Sequence, residues 1–177
     1  VVYETYRPHD AQKKVYEQLK KLADENSTVK AGADTAPWEM FWFIHDDVSN
    51  HQKDYAIDVS LAQIDEQETE FYGDYSVDVV KGYTEYDMPS PMHELSAASA
   101  VFTAPVPALD ADAWKEAELR PEMNQAALSL QDYFVNAGMT PLSSEWWHFN
   151  DLEAKEQVED HESDGEYTIT DVFSTSP

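Results

Sequence analysis

The chain has 177 residues, of which 42% are hydrophobic and 12% aromatic, and its formal net charge is −25. These values predict one globular domain with a hydrophobic core and exclude a disordered chain. The acidity argues against nucleic acid or an anionic membrane as a partner, because both are polyanions. No stretch reaches the roughly 18 consecutive apolar residues of a membrane span, and the absence of cysteine excludes disulfides and thiolate metal sites. A solvated acidic surface is the simplest explanation of the charge, and a salt-rich or extracellular setting is the alternative.

The first predicted elements are a strand over residues 1–6 and a helix over residues 10–24. The strand is rich in β-branched and aromatic residues and ends at Pro8. Asp10 is the predicted N-cap of the helix. The predicted buried stripe of this helix follows a helical repeat and consists of Ala11, Val15, Leu19 and Leu22.

Two less regular segments follow the first helix. Residues 24–37 contain several turn formers and predict a loop. Residues 38–44 form an aromatic run that is long enough for a strand or a wall beneath a site, and we expect its side chains mainly to belong to the core. His45 precedes two aspartates, and we interpret it as a loop histidine rather than as a ligand of a second metal.

The middle of the chain predicts a turn, a strand and a long excursion. Residues 50–54 are polar and predict the turn, whereas the alternation over residues 56–61 predicts the strand. Residues 65–92 are acidic, rich in tyrosine and interrupted by glycine and proline. We expect this excursion to be functional and to contain a short hairpin, because long loops within a domain usually serve a function. A short helix over residues 94–100 is expected to cap the site.

The last third contains the clearest predicted helix, over residues 122–137. Pro121 suits its first turn, and Gly138 suits the position after its end. The predicted buried stripe consists of Met123, Ala127, Leu130, Phe134 and Ala137. A proline-containing connection over residues 101–113 precedes it. Residues 151–177 predict an acidic peripheral tail, which lacks the alternating acids and central glycine of a calcium-binding EF-hand loop.

These elements predict a single α+β domain over residues 1–177. A small, largely antiparallel sheet is expected to carry the functional residues. The helices over residues 10–24 and 122–137 are expected to pack on one side of it.

Two short stretches supply the chemistry. His51 and Asp58 lie in the first, and Glu145 and His148 lie in the second. A hydrolytic zinc site has three protein ligands and an open position for water. His51, Asp58 and His148 meet that requirement, which leaves Glu145 as the candidate base. Because both pairs have odd spacing, a turn or bulge is needed within each stretch to bring its residues to one metal.

Three patterns along the chain resemble the zinc D-Ala-D-Ala dipeptidase and carboxypeptidase family. They span residues 1 to about 150 in the family's order, and the last is most similar to the VanX-type dipeptidases. The patterns are Tyr6-Arg7-Pro8 followed by Gln12, Ser49-x-His51 followed by Ala56-x-Asp58, and Glu145-Trp146-Trp147-His148. The family commonly has glycine at the position of Asp54, and a left-handed backbone there would be tolerable for aspartate.

The resemblance implies a zinc peptidase whose substrate is a small peptide ending in D-alanine. In such a peptidase, Glu145 would take a proton from the attacking water and return it to the leaving amine. Arg7 would point at the reacting carbonyl or the substrate carboxylate. Ser49 either binds that carboxylate or supports its turn. Trp147 is the candidate for a substrate contact that also excludes water. The family usually has further sequence before the arginine segment, so we expect part of its domain to precede residue 1.

The resemblance also bears on substrate length. A segment of the dipeptidases carries an acid that binds the free amino group of the substrate. In this chain, spacing places His93 at that position, with Glu94 beside it. We therefore expect Glu94 to contact the amine and the free dipeptide to be preferred.

Several alternatives remain open at this point. Within the family, the chain could be a D,D-carboxypeptidase or an endopeptidase on longer peptidoglycan stems. Outside it, the chain could be a zinc-holding binding module without catalysis, although such a site has no use for the free carboxylate of Glu145. The family is bacterial, which favours the cell envelope or secretion, with the cytoplasm as the alternative. The sequence leaves the oligomeric state undefined.

Overall fold

The computed structural model describes residues 1–158, which form an α+β domain. The strands are β1 (Val2–Glu4), β2 (Ala56–Val59), β3 (Ala62–Tyr72), β4 (Tyr75–Glu85), β5 (Thr140–Pro141) and β6 (His148–Asn150). The helices are α1 (His9–Glu25), α2 (Ser27–Ala33), α3 (Gln125–Asn136) and α4 (Leu152–Val158). The predicted tail thus begins as α4, and the rest of it lies outside the described residues. No helix in the described part is long and apolar enough to cross a membrane.

The central sheet has four strands in the order β1-β2-β6-β5, and every neighbouring pair is antiparallel. Ile57 pairs with Phe149, and Asp58 pairs with His148. This register places two distant parts of the chain side by side in the middle of the sheet. The predicted fold class is confirmed.

Strands β3 and β4 form a separate two-stranded hairpin, which we call the arm. Each strand has 11 residues, and the two have extensive contacts only with each other. Gly73 occupies the turn with a positive φ of 64°, which glycine adopts without strain. The prediction of a short hairpin was therefore wrong about its length, because Gly82 pairs with Glu66 at a bulge instead of ending the strand.

The main core lies between the central sheet and α3. Ala127 and Leu130 on α3 are buried, and Phe134 stacks on Phe149 of β6 with ring centroids 4.5 Å apart. The predicted stripe is confirmed from Met123 to Phe134, but Ala137 is exposed at the end of the helix. Gly138 follows with φ 93°, as predicted. Pro121 lies outside the helix, because Asn124 caps it by accepting a hydrogen bond from the Ala127 amide.

Helix α1 differs from its prediction in three ways. Its N-cap position is Pro8, so Asp10 lies inside the first turn, where it pairs with Lys14. The predicted stripe was wrong, because Val15 and Leu22 are exposed. The inward-facing positions are those of Gln12, Tyr16, Leu19 and Ala23, all at least partly buried. The helix packs mainly against α2 rather than beside α3 on the sheet.

Three further segments also differ from their predictions. Residues 24–37 are not all loop, because Asn26 caps α2 by accepting from the amides of Thr28 and Val29. Residues 38–44 form a 3-10 turn at Met40–Trp42 rather than a strand, and Trp38 and Phe43 belong to a second small core. The helix over residues 94–100 is reduced to a 3-10 turn at Ala97–Ser99.

Candidate metal centre

The short turns around β2 and β6 bring three predicted ligands together. His51 lies in a 3-10 turn over Asn50–Lys53, just before β2. That turn ends at Asp54, whose φ of 59° is left-handed as expected. Asp58 lies on β2 opposite His148 on β6. Glu145 is joined to His148 by a tight turn in which the His148 amide donates to the Glu145 carbonyl. The odd spacings are therefore resolved by turns in both stretches, as the sequence required.

The three side chains form a compact, buried group that could hold a metal ion. His51 Nε2 lies 3.1 Å from His148 Nδ1. Asp58 Oδ1 lies 3.0 Å from His148 Nδ1 and 3.4 Å from His51 Nε2. A tetrahedral zinc ion about 2.0–2.2 Å from each ligand would separate the ligand atoms by about 3.3 Å. The spacing fits such an ion.

The outer hydrogen bonds of the histidines decide which nitrogens carry protons. His51 Nδ1 is 2.7 Å from the carbonyl oxygen of Thr5, which can only accept, so this nitrogen donates. His148 Nε2 donates in the same way to Asn150 Oδ1 at 3.0 Å. The neutral rings then present the lone pairs of His51 Nε2 and His148 Nδ1 to each other and to Asp58. Three lone pairs at this separation repel unless a cation or a proton lies among them.

Burial and hydrogen bonding adjust the protonation of this group. In the absence of a metal, a proton on the inner ring nitrogens takes the place of the cation. Burial disfavours the Asp58 carboxylate, but the hydrogen bonds that His148, His51 and His93 then donate outweigh it and hold the pKa of Asp58 below its usual range. Burial lowers the pKa of His148, against the opposing effect of Asp58. An ionised carboxylate and a neutral imidazole are the forms that bind a metal.

Glu145 is buried beside the group without being part of it. Its Oε2 lies 3.7 Å from His148 Nδ1. Burial, followed by the negative charge of Asp58, raises the pKa of Glu145 well above the usual carboxyl range. A raised pKa makes the Glu145 carboxylate a stronger proton acceptor than an exposed carboxylate.

Arg7 approaches the same group from the segment after β1. Its Nε and Nη2 donate to Glu4, and its Nη1 donates to Gln12 at 2.7 Å. Nη2 also lies 3.6 Å from Asp58 Oδ2. These contacts use three of the five N–H groups of the guanidinium. Gln52 fixes the segment from the other side by donating to the Arg7 carbonyl.

His93 lies on the far side of Asp58. Its Nε2 is 3.2 Å from Asp58 Oδ2, and its ring meets Trp147 edge-on at 5.8 Å. Glu4, Asp58 and His93 also form a group with metal-ligand spacing. However, Glu4 and Asp58 already face the Arg7 guanidinium, and a second cation would be repelled there.

Of the remaining predicted substrate contacts, Ser49 lines a cavity beside the metal group, whereas Trp147 and Glu94 do not. Ser49 forms a capping box with Gln52, in which its Oγ faces the Gln52 amide without a hydrogen bond of good geometry within residues 1–158. Trp147 is fully buried in the core and touches His93. Glu94 accepts from Ser96 Oγ at 2.8 Å and is not among the residues that line the cavity.

The cavity has a volume of about 220 Å³ and reaches both histidines of the metal group. Arg7 and Glu145 also lie on its polar side. Its apolar side is formed by Phe41, Trp42, Ile44, Ala108, Leu109 and Leu142. The aromatic run therefore provides a wall of this cavity, which was one of the two predictions for residues 38–44.

Sequence reasoning missed three contributors to the site. Asn150 and the Thr5 carbonyl orient the two histidines, and His45 lines the cavity with its ring stacked on Phe41 at 5.3 Å. The only available signal for Asn150 was its position two residues after His148, on the same face of a strand. A backbone carbonyl leaves no signal in the sequence.

Comparison with protein-family models, curated proteins and solved structures finds no significant match to this chain. The resemblance to zinc D-Ala-D-Ala peptidases therefore stays a prediction based on the motifs. The geometry of the site is independent of it.

Proposed function

We propose that this protein is a zinc-dependent peptidase acting on small D-alanyl peptides. The observation that supports it most is the convergence of His51 Nε2, Asp58 Oδ1 and His148 Nδ1 within 3.0–3.4 Å, next to a buried carboxyl that is not part of the group. Zinc in such a site supplies Lewis-acid polarisation of a carbonyl and lowers the pKa of water to about 7. The choice of D-alanyl peptides depends on the sequence motifs.

Each residue has a role that follows from its position. Asp58 and the two histidines would hold the ion, while Thr5 and Asn150 keep both rings in the required tautomer. Glu145 accepts the proton of the attacking water and returns it to the leaving amine. The second N–H of Arg7 Nη1, beyond the one that Gln12 accepts, is available to a negatively charged oxygen of the reacting amide or to the substrate carboxylate.

The placement of Glu145 favours catalysis over a purely structural zinc site. A structural site closes four protein ligands around zinc. Glu145 lies outside the ligand group, with a hydrogen bond from Trp147 and the charge of Arg7 nearby, and a closed structural site has no need of such a further carboxyl. Its pKa, raised by burial, suits a group that must both take up and release a proton.

The test is hydrolysis by the full chain after loading with zinc. D-Ala-D-Ala and a stem pentapeptide ending in D-Ala-D-Ala are supplied separately, and free D-alanine is measured. The proposal predicts release from at least one of them, and the ratio of the two rates separates a dipeptidase from a carboxypeptidase. Release from neither substrate by zinc-loaded protein would contradict the proposal.

The matched variant is Glu145→Gln, which keeps the size of the side chain and removes its acid–base chemistry. We expect it to retain zinc and to lose about 10²–10⁴-fold in turnover. A Glu145→Gln protein with full activity would exclude Glu145 as the base. Loss of zinc in this variant would instead make Glu145 a ligand.

A further inference from the structure

The apolar side of the cavity is large for a substrate that offers only methyl groups. It combines side chains from two separate segments, Phe41 to Ile44 and Ala108 to Leu109, with Leu142. Phe41 and Leu109 are 61% and 51% exposed, so both lie at the opening. A cavity that reaches the metal group and is lined in this way takes up an apolar group attached close to the reacting bond.

The polar side of the cavity is suited to a carboxylate. Ser49 Oγ and His45 Nδ1 are buried atoms on the wall of the cavity. Ser49 Oγ faces the Gln52 amide in a capping box, and the His45 ring lies beside the Asp47 backbone, but within residues 1–158 neither contact satisfies these two atoms with a hydrogen bond of good geometry. Arg7 lines the cavity as well, and beyond the hydrogen bonds to Glu4 and Gln12 its guanidinium carries a further N–H on Nη1, while the second N–H of Nη2 is on the side of Asp58. Buried polar atoms without partners in a cavity indicate a ligand that completes their hydrogen bonds.

Gln12 links the two parts of this polar side. It is fully buried, accepts from Arg7 Nη1 at 2.7 Å and donates to the carbonyl oxygen of His45 at 2.9 Å. The side chain therefore fixes the guanidinium relative to the segment that carries His45 and the apolar wall. This explains why a polar residue occupies the inner face of α1.

We propose that this cavity binds the carboxyl-terminal residue of the substrate and that it prefers a bulky apolar side chain there, such as that of phenylalanine, to the methyl group of the terminal D-alanine that the sequence motifs imply. The carboxylate faces Ser49, His45 and Arg7, and the side chain packs against Phe41, Trp42 and Leu109. The inference depends on the proposed peptidase function for its reaction, but the binding preference stands on the cavity itself. It assigns His45 and the aromatic run a direct part in specificity.

The first experiment compares Ala-Phe with Ala-Ala as substrates of the zinc-loaded full chain, in both the L,L and the D,D series. In whichever series is cleaved, kcat/KM for Ala-Phe should exceed that for Ala-Ala by at least about tenfold, because one methylene in an apolar pocket already changes selectivity by ~10–200-fold. Equal rates, or faster cleavage of Ala-Ala, would overturn the inference.

Variants at the opening of the cavity locate the preference. Phe41→Ala is expected to reduce the Phe-to-Ala selectivity ratio by about tenfold. Phe71→Ala is the matched control, because Phe71 is 76% exposed at the tip of the arm and does not line the cavity. An unchanged ratio in Phe41→Ala, or an equal fall in the control, would show that this wall does not select the substrate.

Binding separates the inference from the proposed reaction. Calorimetry measures the affinity of the zinc-loaded protein for 3-phenylpropanoate and for propanoate. This measurement requires no hydrolysis. The inference predicts at least about tenfold tighter binding of the phenyl compound, and Phe41→Ala should remove most of that difference. Tight binding without cleavage of any dipeptide would leave the inference standing and reject the peptidase function. Equal binding of the two acids would reject the inference whatever the enzyme cleaves.

Discussion

The region of the central sheet buries polar side chains, whereas the arm exposes large apolar ones. The strands of the sheet have only two to four residues, yet this region buries Asp58, Asn150 and both histidines completely or nearly so. The strands of the arm have 11 residues each, yet Phe71 and Tyr75 are 76% and 78% exposed. Strand length and burial are therefore unrelated in this molecule.

The two regions are stabilised by different means. In the sheet, buried polar groups have partners on both sides, such as Asp58 with His148 and His148 with Asn150. The apolar residues beneath them form the main core. In the arm, the ladder of hydrogen bonds between two strands has no core under it, and an isolated two-stranded hairpin is marginally stable in water. We infer that the sheet and α3 contribute most of the stability of the described residues and that the arm contributes little.

The largest expected effect is the difference in stability between an apolar truncation in the core and one on the arm. Leu130→Ala opens a cavity in the core and should lower the free energy of unfolding by about 2–5 kcal/mol. Val77→Ala on the arm should change it by less than about 1 kcal/mol, since Val77 is 48% exposed. Urea denaturation of both variants measures the difference. Similar losses would mean that the arm is part of the cooperative core.

A smaller effect, on zinc affinity, should follow from removing the side chain that accepts a hydrogen bond from the predicted metal ligand His148. Asn150→Ala removes the acceptor of His148 Nε2 and should weaken zinc binding by about 10–100-fold without removing a ligand. Competition with a zinc chelator measures the affinity, and Asn136→Ala at the exposed end of α3 is the control. Unchanged affinity in Asn150→Ala would mean that the ring is oriented by packing alone.

The smallest effect concerns pH and applies to the metal-free protein. The pKa of Glu145 is raised in the folded state by burial and by Asp58. Its contribution to stability is therefore fully present below the pKa of the unfolded chain, about 4.3, and is lost as pH rises through the folded value. Relative to Glu145→Gln, metal-free wild type should lose stability between pH 4 and neutral pH. A constant difference between the two proteins, measured by urea denaturation at several pH values, would contradict this assignment.

Helical periodicity predicted one helix much better than the other. It identified the buried stripe of α3 because that stripe is made of apolar residues packed on the core. It failed for α1 because the buried position there is occupied by Gln12, whose amide bonds Arg7 and His45. A rule that assigns polar residues to the surface cannot detect a side chain buried for its hydrogen bonds.

The candidate ligands were predictable from residue type and spacing, whereas their surroundings were not. His51, Asp58 and His148 are the residue types that zinc requires, so the sequence alone proposed the group that the structure brings together. Their tautomers depend on the Thr5 carbonyl and on Asn150. The cavity wall depends on residues near positions 41 and 109, which only tertiary structure brings together.

Zinc content tests the central claim most directly. The full chain is saturated with zinc, dialysed and analysed for metal, beside the variants His51→Ala, His148→Ala and Glu145→Gln. His9→Ala serves as the control, because His9 contacts the Asp46 carbonyl outside the metal group. We predict one zinc per chain in wild type, Glu145→Gln and the control, and none in the variants of His51 and His148. Two tightly held ions per wild-type chain, or full retention in both ligand variants, would contradict the assignment.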